Sequence, residues 1–430
     1  MKKRLLSALC AVMLLICAVP MASAQTGDAA RRADALTVLH LLSEDPGRNL
    51  TTPATRAQAA VLLVRLAGGE KKPDTDGWFA GFRDVPDWAR TAVNYANRRG
   101  WISGVSNVQF DPNGHLNADA WCAMLLRMLG YSDKTGDFEI SDAAAFAWRI
   151  GLTGRQLIGI LSVGDLAEAI YDALDFCYKG TETTVLSRLM DLGVCTASAA
   201  NALGLLNKDY TARQLADRYL SAAFQLSLYE TEEQVHDEVS SADASGFFIS
   251  ADGLAVTNYH SIEDSIKATA TLLNGETYEV ERVLYYDTGI DIAVIKVSRT
   301  NQSRRTTSAF NHLDLVGTAD IRPGDPVYAI GNPLGLGLAI SSGIIGSTAH
   351  ELDRYALPCI VNSADISRGS SGGALMNAHG QVIGVTSGAY TYGNNMYLAV
   401  PVDPVMAADL TVSGWTLKEV KAFEAAKDKD

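Results

Sequence analysis

Apolar residues change their spacing partway along this chain, and the change separates two kinds of structure. From Arg31 to about Leu206 they recur at i, i+3, i+4 and i+7, as in Ala35, Leu36, Val38, Leu39, Leu41 and Leu42 and again in Ala59, Ala60, Leu62, Leu63 and Leu66. That period predicts amphipathic helices. Loops rich in Gly, Pro, Asn and Asp separate them, for example Asp45-Pro46-Gly47 and Asp111-Pro112-Asn113-Gly114. A helical stripe continues through Ala212, Leu215, Tyr219, Ala222, Ala223 and Leu226, and an acidic run follows from Glu230 to Glu238. Residues 207–241 therefore read as a solvated helical linker. After Ala244 the pattern shortens to strand, tight turn and strand: Gly246–Ser250, Ala251-Asp252-Gly253, Leu254–Asn258. Further strands are expected at Thr277–Val283, Ile292–Val297, Pro326–Ile330, Ile340–Ser347, Cys359–Asn362, Gln381–Ser387 and Met396–Val400. Many short strands without intervening helices indicate an all-β barrel or sandwich over 242–410, with 411–430 as a tail.

The helical half repeats itself, with units at about 31–70, 80–132 and 141–206. The first contains Thr55-Arg56-Ala57-Gln58. The second opens Phe82-Arg83-Asp84-Val85-Pro86-Asp87-Trp88, passes through Gly100-Trp101-Ile102-Ser103-Gly104, and reaches Phe110-Asp111-Pro112 and Asn117-Ala118-Asp119-Ala120. The third, more diverged, has Gly164-Asp165-Leu166-Ala167-Glu168-Ala169 in place of the first unit's helix start. The second unit resembles the S-layer homology (SLH) repeat. That resemblance implies an all-α domain of three repeats that binds cell-wall-linked polysaccharide, with Arg56 as the glycan ligand. An arginine at a helix start suits an anionic sugar, because guanidinium can meet a carboxylate with two parallel bonds and the helix terminus adds positive potential.

Three patterns stand in order in the β half. Thr257-Asn258-Tyr259-His260 places a histidine just beyond a strand, and Asp291-Ile292-Ala293-Val294 opens a strand with an aspartate. Gly369-Ser370-Ser371-Gly372-Gly373 sets a serine among glycines. Each alone reads as an ordinary core, capping or turn residue. Together they match acyl-transfer chemistry: serine needs a base as it attacks, imidazole is that base near neutral pH, and a buried carboxylate orients it. Glycines let backbone N–H groups of Gly369, Ser370 and Ser371 face a developing oxyanion. With Gly246-Phe247-Phe248-Ile249, Ile330-Gly331-Asn332-Pro333-Leu334-Gly335, Gly380-Gln381-Val382-Ile383-Gly384-Val385 and Leu398-Ala399-Val400-Pro401, these blocks resemble a trypsin-like serine protease of the HtrA/Deg type. The resemblance implies a double β-barrel that cleaves protein or peptide substrates through His260, Asp291 and Ser371, without a cofactor. Ser370 replaces the family's usual Asn, and Ser261-Ile262 its usual apolar pair. Residues 405–430 are too few for the PDZ domain that often follows. Asp365, Ile366, Ser367, Thr386 and Ser387 are the expected substrate-binding positions. Asp365 stands where trypsin-type enzymes bind Lys or Arg, but the Deg-type apolar pocket is the preferred reading. Trimerisation, as in Deg relatives, is left open, and so is a wall-bound protein that has lost cleavage.

Composition narrows the setting. A net charge of −13 without a basic cluster argues against nucleic acid as a partner. Met1-Lys2-Lys3-Arg4, the apolar run Leu5–Val19 and Ala22-Ser23-Ala24 read as a secretion signal over 1–24, and with SLH-type repeats they imply a secreted, wall-associated protein. Of six cysteines, Cys10 and Cys17 lie in that leader. Cys122, Cys177, Cys195 and Cys359 lack metal-binding spacing, and whether Cys177 and Cys195 pair is open.

Overall fold

The computed structural model describes residues 29–43, 49–69, 79–181, 183–206, 209–390 and 395–427; the expected secretion signal lies outside them. The chain forms two compact units. One comprises described residues up to Ala147 together with Arg155–Leu206, and the other Trp148–Gly154 with the described residues from Asp209 onward.

In the first unit, helices Arg56–Leu66, Ala118–Met128 and Val163–Ala173 begin at Thr55, Asn117 and Ser162, whose side chains accept the N–H three residues on. Such caps satisfy donors that a helix start otherwise leaves bare. The residue before each cap closes a ring: Ala54 N–H donates to Leu161 O (2.8 Å), Leu161 N–H to Leu116 O (2.9 Å), and Leu116 N–H to Ala54 O (3.0 Å). All three are buried. The ring makes the three repeats structurally equivalent and corrects the third: Ser162-Val163-Gly164-Asp165, not the segment starting at Gly164, matches Thr55-Arg56-Ala57-Gln58. Capping chemistry sets this register, because Asp165 and Gln58 both reach back to the N–H of their caps.

The repeat motifs have local causes. Asp84 accepts the N–H groups of Phe110 (2.9 Å) and Asp111 (2.8 Å), joining Phe-x-Asp to Phe-x-Pro. The Phe82 and Phe110 rings lie 5.7 Å apart. Arg56 donates to Phe110 O (2.9 Å) and Ser103 O (2.8 Å) and sits 4.8 Å from the Phe110 ring centre. Its guanidinium is thus engaged within the protein. All four expected cysteines carry free thiols, Cys177 and Cys195 included.

The second unit contains two closed six-stranded barrels. In the first, β1 (Ala223–Tyr229), β2 (Ala242–Phe248), β3 (Leu254–Thr257), β4 (Lys267–Leu272), β5 (Thr277–Asp287) and β6 (Ile292–Asn301) close in the order β1-β2-β3-β6-β5-β4. In the second, β7 (Pro326–Gly331), β8 (Ala339–His350), β9 (Cys359–Asn362), β10 (Ala374–Asn377), β11 (Val382–Ala389) and β12 (Tyr397–Pro401) repeat that order as β7-β8-β9-β12-β11-β10. Neighbouring residues of one strand feed different cores. Phe248 and Ile295 fill the first barrel, whereas Phe247 and Val294 join Ile330, Val385 and Val400 in a separate layer shared by both barrels. This is the period-2 alternation of a strand buried on both faces.

Two expectations about boundaries are corrected. Residues 223–229, read as part of a helical linker, form β1, paired with both β2 and β4. Its alternating Phe224, Leu226 and Leu228 point into the barrel, and the overlapping Ala222, Ala223 and Leu226 mimic a helical stripe. The expected tail holds helix Leu417–Lys427, which buries Leu417 and Val420 against the first barrel. Trp415 also exchanges two backbone hydrogen bonds with Val283 (2.7 and 2.9 Å).

Candidate active site

The three sequence patterns converge where the barrels meet. His260 rides on the short helix Tyr259–Ile262 that follows β3, Asp291 immediately precedes β6, and Ser371 lies on the loop into β10. His260 Nδ1 lies 2.8 and 3.0 Å from the two Asp291 carboxylate oxygens, and the His260 backbone N–H donates to the same carboxylate at 2.9 Å. A ring nitrogen facing a carboxylate carries the proton, which leaves Nε2 as the acceptor. Asp291 is buried at 6% exposure and holds φ +66°. Left-handed backbone is uncommon outside glycine, and strain of this kind concentrates at functional sites. Asn258 anchors the turn by donating Nδ2–H to Asp291 O (2.8 Å).

Two further side chains extend the pair. Ser387 Oγ donates to Asp291 Oδ2 (2.7 Å) and lies 2.9 Å from the Tyr355 hydroxyl, so Tyr355 donates to Ser387. Burial pushes the Tyr355 phenol above its ordinary range, which keeps it a donor. The Ser371 hydroxyl donates to Ser387 O at 3.2 Å and makes no hydrogen bond with His260.

The loop around Ser371 is fixed peptide by peptide. Arg368 O accepts from Leu334 N–H (2.6 Å), Gly369 O from the Ser245 hydroxyl (2.7 Å), Ser370 O from the Thr386 hydroxyl (2.6 Å), and Ser371 O from Ser245 N–H (2.8 Å). The N–H groups of Gly369 and Ser371 donate to no acceptor among the described residues, so two unspent donors stand side by side. Gly369 has φ +91°, and a Cβ there would lie 2.4 Å from Asn332 O, so no other residue fits.

Several sequence expectations change here. Ser370 does not join the free donors, because its N–H donates to Ser367 O (2.9 Å). Ser387 is buried and its hydroxyl serves Asp291 rather than a substrate surface, whereas Thr386, its hydroxyl on Ser370 O, also lines the cavity beside Asp365. Asp365, Ile366 and Ser367 do border a cavity of about 210 Å³, with Ala329, Ala339 and Ile340 across from them. Asp365 accepts from the Tyr397 hydroxyl. Ser245 and Tyr355 were invisible to motif reading, since no local pattern marks them, and Leu334 stood in a motif block without an assigned role. Cys359 offers no competing nucleophile, because burial raises its thiol to about 11. No cluster of potential metal ligands occurs among the described residues.

Comparison with known proteins follows the geometry. Residues 244–385 match the family described as "Trypsin-like peptidase domain". The chain is 35% identical over 177 residues to a "Probable periplasmic serine endoprotease DegP-like" of Halomonas elongata, covering 40% of this chain and 35% of that protein. It is 36% identical over 171 residues to "Serine protease HTRA2, mitochondrial" of Bos taurus, covering 39% and 35%. It is 31% identical over 219 residues to "Serine protease HTRA1A" of Danio rerio, covering 50% and 44%. The second unit is thus similar, over residues 244–385, to a trypsin-like peptidase domain and to proteins named as HtrA and DegP-like serine proteases. The chain spans between 35% and 44% of the length of these three relatives.

Proposed function

We propose that this protein is a serine endopeptidase that works through an acyl-enzyme. The carrying observation is the His260–Asp291 pair at 2.8 Å beside a serine loop that leaves the Gly369 and Ser371 N–H groups unspent. In this reading Ser371 attacks the scissile carbonyl, and His260 Nε2 takes its proton and returns it to the leaving amine. Asp291 holds the tautomer, and the two N–H groups stabilise the oxyanion. The resting Ser371 hydroxyl is held by Ser387 O at 3.2 Å, so in this reading attack begins when it leaves that bond and turns toward His260. The cavity beside Ser371, walled by Ala329, Ala339, Ile340 and Ile366, fits a small aliphatic side chain before the cleaved bond. Asp365 at its rim is already paired with Tyr397, which weakens its pull on a cationic substrate.

A fluorophosphonate probe should label the wild type and leave Ser371→Ala unlabelled, and a peptide library should yield cleavage after aliphatic residues. An unlabelled wild type sinks the enzymatic reading in favour of a binding protein. Strict cleavage after Lys or Arg overturns the aliphatic pocket alone.

The repeats of the first unit are proposed to hold an exported protein at the cell surface through wall polysaccharide. The SLH-like motifs support this reading. The engaged guanidinium of Arg56 argues that this residue contributes more to the loop at 103–110 than to a sugar. Full-length Ser371→Ala should sediment with purified wall polysaccharide; a soluble fraction unchanged by the polysaccharide would leave the repeats a structural role.

A further inference from the structure

Ser245 lies in β2 of the first barrel, fully buried, and reaches the nucleophile loop of the second with its N–H and its hydroxyl. Its N–H donates to Ser371 O (2.8 Å), and its hydroxyl donates to Gly369 O (2.7 Å). The Ser245 hydroxyl oxygen accepts the N–H of Asn332 (2.8 Å), and the Ser245 carbonyl accepts the Thr257 hydroxyl (2.8 Å). Thr257 ends the strand that leads to His260.

The Asn332 contact adds a second route to the same loop. Asn332 begins the turn in which Leu334, at φ +59°, donates its N–H to Arg368 O at 2.6 Å. A planar trans peptide points its C=O and N–H in opposite directions. Binding Arg368 O from one side therefore aims the Gly369 N–H to the other, where it is unspent. Binding Gly369 O with the Ser245 hydroxyl fixes the next peptide, whose Ser370 N–H donates to Ser367 O; this plane links the two that carry the Gly369 and Ser371 N–H groups. One hydroxyl thus ties the turn at 332–334 to the peptide plane that joins the two donor-bearing ones.

We propose that Ser245 is a positioning residue for the two N–H donors at Gly369 and Ser371, acting through Gly369 O and Asn332 N–H and touching no substrate. This rests on the peptidase reading of the site. Loss of the hydroxyl leaves a buried acceptor, Gly369 O, and a buried donor, Asn332 N–H, without partners, and the Gly369–Ser370 peptide between the two donors loses a restraint. A transition state bound by those donors suffers, whereas ground-state binding in the side-chain pocket does not.

The test compares wild type, Ser245→Ala and Ser245→Cys, the last nearly isosteric but a weak donor. With a peptide substrate, Ser245→Ala should lose about 10- to 100-fold in kcat with KM within about twofold, somewhat less than removing an oxyanion donor outright. Inhibition by a peptide aldehyde, whose adduct carries the oxyanion, should weaken by the same factor, with Ser245→Cys in between. Should Ser245→Ala not fold, Ser245→Cys carries the comparison against wild type. A lowered melting temperature with unchanged kcat per titratable site would overturn the proposal by making Ser245 merely structural. If the wild type neither hydrolyses peptides nor takes the probe, the peptidase reading fails by itself. The positioning claim is then read from amide NMR: it predicts shifted Gly369 and Ser371 N–H resonances in the variant, and unchanged ones overturn it.

Discussion

At the scale of single residues, the site is a chain of hydrogen bonds in which each group fixes the next. Tyr355 holds Ser387, Ser387 holds Asp291, and Asp291 holds His260. Ser387→Ala removes one of the donors to a buried carboxylate, a bond worth about 1.5–3 kcal/mol when one partner is charged. If that orientation matters in the transition state, kcat should fall about tenfold or more. Tyr355→Phe leaves the Ser387–Asp291 bond in place and should cost less than about threefold. Steady-state kinetics on both variants checks the order; equal effects would mean that the chain acts as packing alone. His260, Asp291 and Ser371 were legible because each belongs to a local motif. The bond of Ser387 to Asp291 was not, although Ser387 was expected at the substrate, and neither was Ser245, because their partners lie 96 and 124 residues away and no neighbouring residue announces the contact.

Elements that look secondary in the sequence complete the barrels. β1 supplies ladders to both β2 and β4, so the first barrel cannot close without it. Leu226 is fully buried in that barrel, and Leu226→Ala should cost about 2–5 kcal/mol, as large-to-small core changes do. The expected readout is a lowered melting transition followed by near-ultraviolet circular dichroism. An unchanged transition would return 223–229 to the status of linker. The strands β4 and β10 also escaped the sequence reading. β10, at four residues (Ala374–Asn377), sits directly after the glycine-rich loop, so its alternation is too short to register. Helix periodicity and strand periodicity share positions over five or six residues, and only pairing partners decide between them.

For the molecule as a whole, two units with separate cores carry separate vulnerabilities. In the first, the Asp84 carboxyl sits below the ordinary aspartate range: burial pushes it up, but the N–H groups of Phe110 and Asp111 outweigh that and pull it down. A carboxyl depressed by folding stabilises fully above its unfolded value, about 3.9, and the contribution fades as pH falls through the folded value. Helical circular dichroism of the first unit should therefore weaken below about pH 4, and Asp84→Asn, which cannot titrate, should flatten that dependence. Identical acid profiles for the two proteins would remove Asp84 as the cause.

The sequence by itself determined the helical and β halves, the repeats of the first, and the three reactive residue types in their order. Those features are local: each is written in spacing or in contiguous motifs. Tertiary structure decided which peptide N–H groups stay free, that the hydroxyls of Thr386 and Ser387 turn to Ser370 O and Asp291, and that Ser370 spends its donor on Ser367. It also set the register of the third repeat and recruited residues 223–229 and 417–427 into the second unit. These depend on partners far away in the chain, and a buried donor or acceptor takes whatever partner the closed barrels bring within reach.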